Sequence, residues 1–139
     1  MTTDIFDEQN EVKPQSINWG KVGDNVAGTK VGQRKGIKTK FGINSCYEVK
    51  VSGGFFHSKE GEKVELKDGE VWTFWGRNQI FDGAIERMQI GQIFGLKLTD
   101  IVPSTKGNDA KIIKVFTTGA VDTAWLESNP ETEDGYQVQ

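Results

Sequence analysis

Cysteine and histidine are nearly missing from this chain of 139 residues: Cys46 and His57 are the single copies of each. One cysteine excludes an internal disulfide and fits a reducing compartment. With no second histidine, no cysteine pair and no Asp-rich loop, no zinc or calcium spacing can be drawn. Cys46 and His57 stand eleven residues apart with no third group to orient them, so they do not read as a nucleophile and its base. No Gly-rich loop ends in Lys-Ser or Lys-Thr, and Gly36 to Gly42 lacks the helix that a phosphate cradle needs after it. Asp100 and Asp109 show no paired-carboxylate logic. The expectation is a protein that binds rather than catalyses, with no metal and no cofactor. Long apolar runs are lacking too; stretches such as Ile112-Ile113 are far too short to span a bilayer. The opening Met1-Thr2-Thr3-Asp4 is acidic and has no apolar core, which predicts no secretory signal, no membrane partner and a cytoplasmic location.

What is present is a segregation of charge hidden by a net of −3. Residues 1–17 carry a net −3, residues 18–115 a net +5, and residues 116–139 five acids and no base. This divides the chain into an acidic N-terminal arm (1–17), a basic core (18–118) and an acidic C-terminal tail (119–139). Blocks of like charge at chain ends are commonly solvated tails; they can also compete with a polyanion or recruit a partner.

The 17 glycines are scattered as punctuation between β-prone runs, the pattern of a tightly turning β structure. Five strands are expected. The first runs from Asn25 to Gln33, broken by Gly28 and Gly32. The second, Ser45 to Val51, alternates Tyr47, Val49 and Val51 against Cys46, Glu48 and Lys50. Glu70 to Trp75, Gln92 to Val102 and Lys111 to about Thr118 complete the set. Between the third and fourth, Ile80, Phe81, Ala84, Ile85 and Met88 recur at helical spacing, with Asn78 as N-cap and Gly91 as a stop.

Three strands, a short helix and two strands is an order that resembles the oligonucleotide-binding (OB) fold, a five-stranded Greek-key barrel. The resemblance covers about residues 18–118; SH3-like barrels, which lack a helix at this position, rank second. Within it, three features are similar to the small single-stranded DNA-binding proteins of bacteriophages. Lys30, Arg34, Lys35, Lys38 and Lys40, with Phe41 and no acid among them, occupy the segment between the first two strands. Tyr47, Phe55, Phe56, Trp72, Phe74 and Trp75 crowd the second and third. The C-terminus is acidic. In that family the loop between strands 1 and 2 and the face of strands 2 and 3 take the nucleic acid, and the tail recruits replication proteins. This chain closes on Gly135-Tyr136-Gln137-Val138-Gln139 rather than on an acidic run with a hydrophobic end, a departure that bears on the recruiting role.

The chemistry agrees with the resemblance. Binding without sequence preference needs cations to displace condensed counterions from phosphates and flat rings to receive unstacked bases. Lys30, Arg34, Lys35, Lys38 and Lys40 are the phosphate candidates, with Lys50 and Arg77 as additions near the rings. Tyr47, Phe55, Trp72, Phe74 and Trp75 are the stacking candidates. In the third strand only one face can point outward. If Val71 and Thr73 line it, Trp75 is the exposed ring; otherwise Trp72 and Phe74 are, and the reading leans to that pair because a double aromatic is harder to explain as core. Phe55-Phe56 is expected near a hairpin tip, and Trp125-Leu126 in a helical turn that anchors the C-terminus. The expected partner is single-stranded nucleic acid, DNA before RNA, with the acidic tail open to a protein partner and oligomerisation undecided. Two rivals stay open: a virion or tail component whose barrel contacts protein, and an adaptor whose acidic tail mimics DNA.

Overall fold

The computed structural model describes residues 15–40, 42–105 and 109–129. The alternation of Tyr47, Val49 and Val51 with polar neighbours makes the backbone of the fold, a long hairpin of β1 (Asn25–Thr39) and β2 (Gly42–His57). β2 also pairs antiparallel with a short β3 (Lys63–Glu65) and with β4 (Val71–Trp75). β1 pairs on its other side with β5 (Ile93–Val102), and β5 with β6 (Ala110–Phe116). The result is a mostly β, open antiparallel sheet in the order β3-β2-β1-β5-β6, with β4 on β2. Among the described residues no ladder joins β4 to β6. Instead, residues 15–17 run along β4: Ile17 N donates to Thr73 O at 2.9 Å and Thr73 N to Gln15 O at 2.7 Å. No helix of the described residues is long and apolar enough to cross a membrane.

α1 (Gln79–Glu86) lies between β4 and β5, where the helical spacing puts it, and Asn78 caps it, its Oδ1 accepting from Phe81 N at 2.9 Å. The helix is shorter than the apolar pattern implies, because Met88 is buried in the turn that follows and Gly91 reverses the chain at φ 95°. α1 covers the core: Phe81 and Ile85 join the buried cluster that holds Tyr47, Val49, Phe74, Phe94, Leu96 and Leu98, with the Phe81 ring 6.1 Å from that of Phe74. α2 (Thr123–Ser128) anchors the C-terminal side, as expected for Trp125-Leu126. Asp122 N donates to Gly91 O at 2.7 Å, and Leu126 covers Gly91 so closely that a Cβ there would meet Leu126 Cδ2 at 2.7 Å. The described part of the segment read as tail is therefore packed on the sheet.

Two expectations about the strands need correction. β3 was not foreseen, its three residues being too few for a pattern. More consequentially, the basic segment read as a loop is the continuation of β1. The ladder passes Gln33 and runs to Thr39 opposite Gly42, absorbing glycine-rich stretches as bulges between Lys30 and Gly32 and between Arg34 and Ile37. Gly36, at φ 72°, sits inside the second bulge, so glycines that looked like a strand end mark irregularities within one.

Candidate nucleic-acid interface

Register decides which side chains leave the sheet. Tyr47 lies opposite Phe74 and Val49 opposite Trp72, so all four share the inner face; Cys46, Glu48 and Lys50 share the outer face with Trp75, Thr73 and Val71. Trp72 and Phe74 are accordingly buried, whereas Trp75 keeps 39% of its surface and Val71 46%. The leaning toward Trp72 and Phe74 as the exposed pair is thus reversed. Phe74 is held among rings, its centroid 5.4 Å from Tyr47, 6.1 Å from Phe81 and 6.0 Å from Phe94, and Trp72 sits edge-on to Phe56 at 5.4 Å. Tyr47 is withdrawn for the same reason: it is fully buried, its Oη donating to Glu86 Oε2 at 3.1 Å. Burial, with the nearby Asp82 and Glu86 carboxylates, pushes its phenol well above the usual tyrosine value. Core rings cannot receive a base. Phe41 lies outside the described residues.

The cations divide as well. Lys30 is 2% exposed, and its Nζ donates to Ile85 O at 2.8 Å and to Met88 O at 2.7 Å. α1 has no base in its own last turn, so β1 supplies the ammonium that meets the negative end of the helix. Desolvation brings Lys30 down to about 8, against a partial upward pull from Glu86. It is a helix cap and not a phosphate contact. Lys35 Nζ pairs with Glu86 Oε1 at 2.8 Å; that bond first, then the phenol of Tyr47, hold the Glu86 carboxyl below its usual value despite partial burial. Two of the five cations of the basic segment, Lys30 and Lys35, therefore tie β1 to α1. The prediction is direct: Lys30→Met, which leaves Met88 O without its donor and Ile85 O with the Met88 N–H alone, is expected to lower stability by about 1–3 kcal/mol in urea unfolding, with ligand affinity of the folded protein unchanged. An unchanged urea midpoint would contradict the capping role.

What remains outside is smaller and better ordered. Arg34 lies opposite Cys46, and Cys46 opposite Trp75, so a guanidinium, a thiol and an indole form one row across β1, β2 and β4. They line a cleft of about 390 Å³ together with Ser16, Ile37, Glu48 and Thr73. Gly32 opens room beside it: a Cβ there would meet Glu48 Oε1 at 2.7 Å, so Glu48 lies across β1 at this bulge. Burial pushes the Cys46 thiol up, the opposite of what a nucleophile needs. Lys38 and Lys40 are exposed farther along the hairpin. Lys50 stands half-buried on the same face near Asp122, whose carboxyl is held down first by Trp125 N–H, next by the Thr29 hydroxyl, and further by the Lys50 charge. Phe55 is half-buried at the far end of β2 under Lys63 Nζ, 4.7 Å from its ring centroid. Arg77 is exposed at the start of α1, in a separate groove of about 500 Å³ between α1 and β6.

One constellation was not visible in the sequence. Asp24 is fully buried just before β1; its Oδ2 accepts from Gly20 N at 2.8 Å, Lys21 N at 3.0 Å and His57 N at 3.0 Å, and its Oδ1 meets His57 Nδ1 at 2.7 Å. His57 ends β2 and Cys46 lies eleven residues back along the same strand, so the two are not brought together. Among the described residues no group of three or more His, Cys, Asp or Glu is placed to hold a metal ion. No family model, no curated protein and no solved structure matches this chain.

Proposed function

We propose that this protein is a non-catalytic, OB-like module that binds single-stranded nucleic acid, DNA by preference, across the outer face of β1, β2 and β4. The observation that carries this reading is the row Arg34–Cys46–Trp75, an exposed guanidinium and an exposed indole on one open cleft. A base stacking on Trp75 would leave its phosphates within the field of Arg34, with Lys38 and Lys50 extending the path along the same hairpin. Stacking is worth about 1–3 kcal/mol per base and is sequence-tolerant, and each phosphate neutralised releases counterions. The element order supports the OB-like description, and the preference for DNA rests on the resemblance to phage proteins. The acidic end past Asn129 remains open as a recruiting or competing segment.

Trp75 is the most exposed of the four tryptophans and so dominates the test: Trp19 and Trp72 are buried, and Trp125 is half-buried in α2. Oligo-dT is expected to quench tryptophan emission at low salt, with quenching lost as salt rises and absent in Trp75→Phe. Trp75→Ala should weaken binding about 5- to 150-fold, the equivalent of one stacked base, while Arg34→Gln should reduce the salt slope by about one. No quenching of the wild-type protein at low salt refutes the reading.

A second reading has one observation behind it. The groove between α1 and β6 exposes Ile80 to 86%, Ile112 to 42% and Phe116 to 53%, a patch suited to protein contact in a virion or other assembly. A solution mass showing large oligomers indifferent to DNA would favour it.

A further inference from the structure

The outer face carries a second cavity, of about 640 Å³, where β1 meets β5, lined among others by Asn25, Ala27, Phe55, Gly95, Lys97 and Phe116. Beside it, Lys97 on β5 lies directly opposite Lys114 on β6. Both are exposed, and among the described residues neither has an ion-pair partner. Like charges directly opposed across an antiparallel pair destabilise it, so nothing in the sheet itself is served by the arrangement. An anion between the two ammonium groups would reverse its sign.

The neighbouring residues specify what kind of anion. Phe116 lies opposite Gly95 and keeps 53% of its surface. Its ring does not fold down over the glycine: a Cβ built on Gly95 meets nothing closer than Val26 O at 3.6 Å. The space above Gly95 is open, flanked by an aromatic ring on one side and the paired lysines on the other. At the opposite end of the cavity Phe55 sits under Lys63, itself 3.8 Å from the exposed Glu65. A second copy of the chain docked by two-fold symmetry would bring these lysines toward their own images, which the charge disfavours. An anionic chain bearing flat rings satisfies cations and aromatics at once.

We propose that this cavity is a second subsite for single-stranded nucleic acid, with a phosphate between Lys97 and Lys114 and a base against Phe116 above Gly95. It rests on the proposed function and extends it: Arg34 and Trp75 hold the strand over the distal half of β1, and this subsite engages it over the proximal half, so that only a long strand reaches both.

The test compares a short oligo-dT of about 5 nucleotides with a long one of about 16, a range that single OB folds cover. Tryptophan quenching in the full chain is the readout for both. Lys97→Glu should leave short-oligonucleotide affinity within twofold and weaken the long one at least tenfold. Because it replaces a repulsive cross-strand pair by an attractive one, it should also raise the urea midpoint, so stability and binding move in opposite directions. Phe116→Ala, uncharged, should repeat the length-dependent loss without the gain in stability. Equal long-strand affinity in wild type and both variants overturns the subsite while leaving the Trp75 face intact. A change in solution mass of either variant overturns it in favour of a second copy as occupant. If the wild-type protein binds neither oligonucleotide, the proposed function itself falls.

Discussion

Asp24→Asn is expected to lower the stability of this protein by about 3–5 kcal/mol at neutral pH, because it weakens several hydrogen bonds to one buried carboxylate, each worth about 1.5–3 kcal/mol. The side chain is small and its shape is preserved, so the loss comes from charge and from donors. Three backbone N–H groups, from Gly20, Lys21 and His57, converge on one carboxylate oxygen, and the His57 ring meets the other. A neutral amide presents at most one acceptor oxygen to this set and turns its own N–H₂ toward donors. These contacts also join parts distant in sequence: the turn at Gly20 and Lys21, the residue just before β1, and the last residue of β2. A midpoint shift in urea measures the loss; a change below about 1 kcal/mol, the worth of one ordinary hydrogen bond, would contradict this role.

The same carboxylate makes the difference depend on pH. Burial alone would push Asp24 up, but the donors from Lys21, His57 and Gly20 outweigh it and hold its pKa below the usual aspartate value. Between the folded and unfolded pKa values the unfolded chain holds more protons, so stability rises with pH there. The contribution is complete above about pH 4, near the ordinary aspartate value, and is lost as pH falls through the folded value. The gap between wild type and Asp24→Asn should therefore be widest near neutrality and close in acid.

The sequence revealed the element order because hydrophobic period and capping residues are local signals. Asn78, Ile80, Phe81, Ile85 and Gly91 place a helix without help from the rest of the chain, and Tyr47, Val49 and Val51 place a strand. It also held the answer to the orientation of β4. The outward face of β2 carries Glu48 and Lys50, so a partner strand had to turn Trp72 and Phe74 toward Tyr47 and Val49. That inference needed the β2–β4 register, which short alternating strands leave unspecified until the turn between them is known. The fates of Lys30 and Lys35 were illegible for a different reason. Their partners, the end of α1 and Glu86, lie more than fifty residues away in sequence, and a lysine on a strand is drawn into the core only by an acceptor that the fold brings to it. Bulges hid the rest: glycine is a common sign of a loop, and within β1 it marks places where an unusually long ladder bends.

Adjacent residues on β4 offer the sharpest separation of structure from binding. Phe74→Ala is expected to destabilise the protein by about 3–5 kcal/mol, the usual range for a large aromatic removed from a core. Its ring has no exposed surface and touches the aromatic contributions of β2, α1 and β5 at once, so no single neighbour can collapse into the space. Phe74→Leu, which keeps most of the apolar volume, should recover much of that loss and bind oligo-dT as the wild type does. Trp75→Ala, one residue farther, should shift the urea midpoint by less than about 1 kcal/mol, because a partly exposed side chain leaves little cavity behind. Its effect should appear in oligonucleotide affinity instead. If Phe74→Leu lost affinity while Trp75→Ala kept it, the binding face would lie on the other side of β4, and the register argument that puts Arg34, Cys46 and Trp75 on one cleft would fail as an account of function.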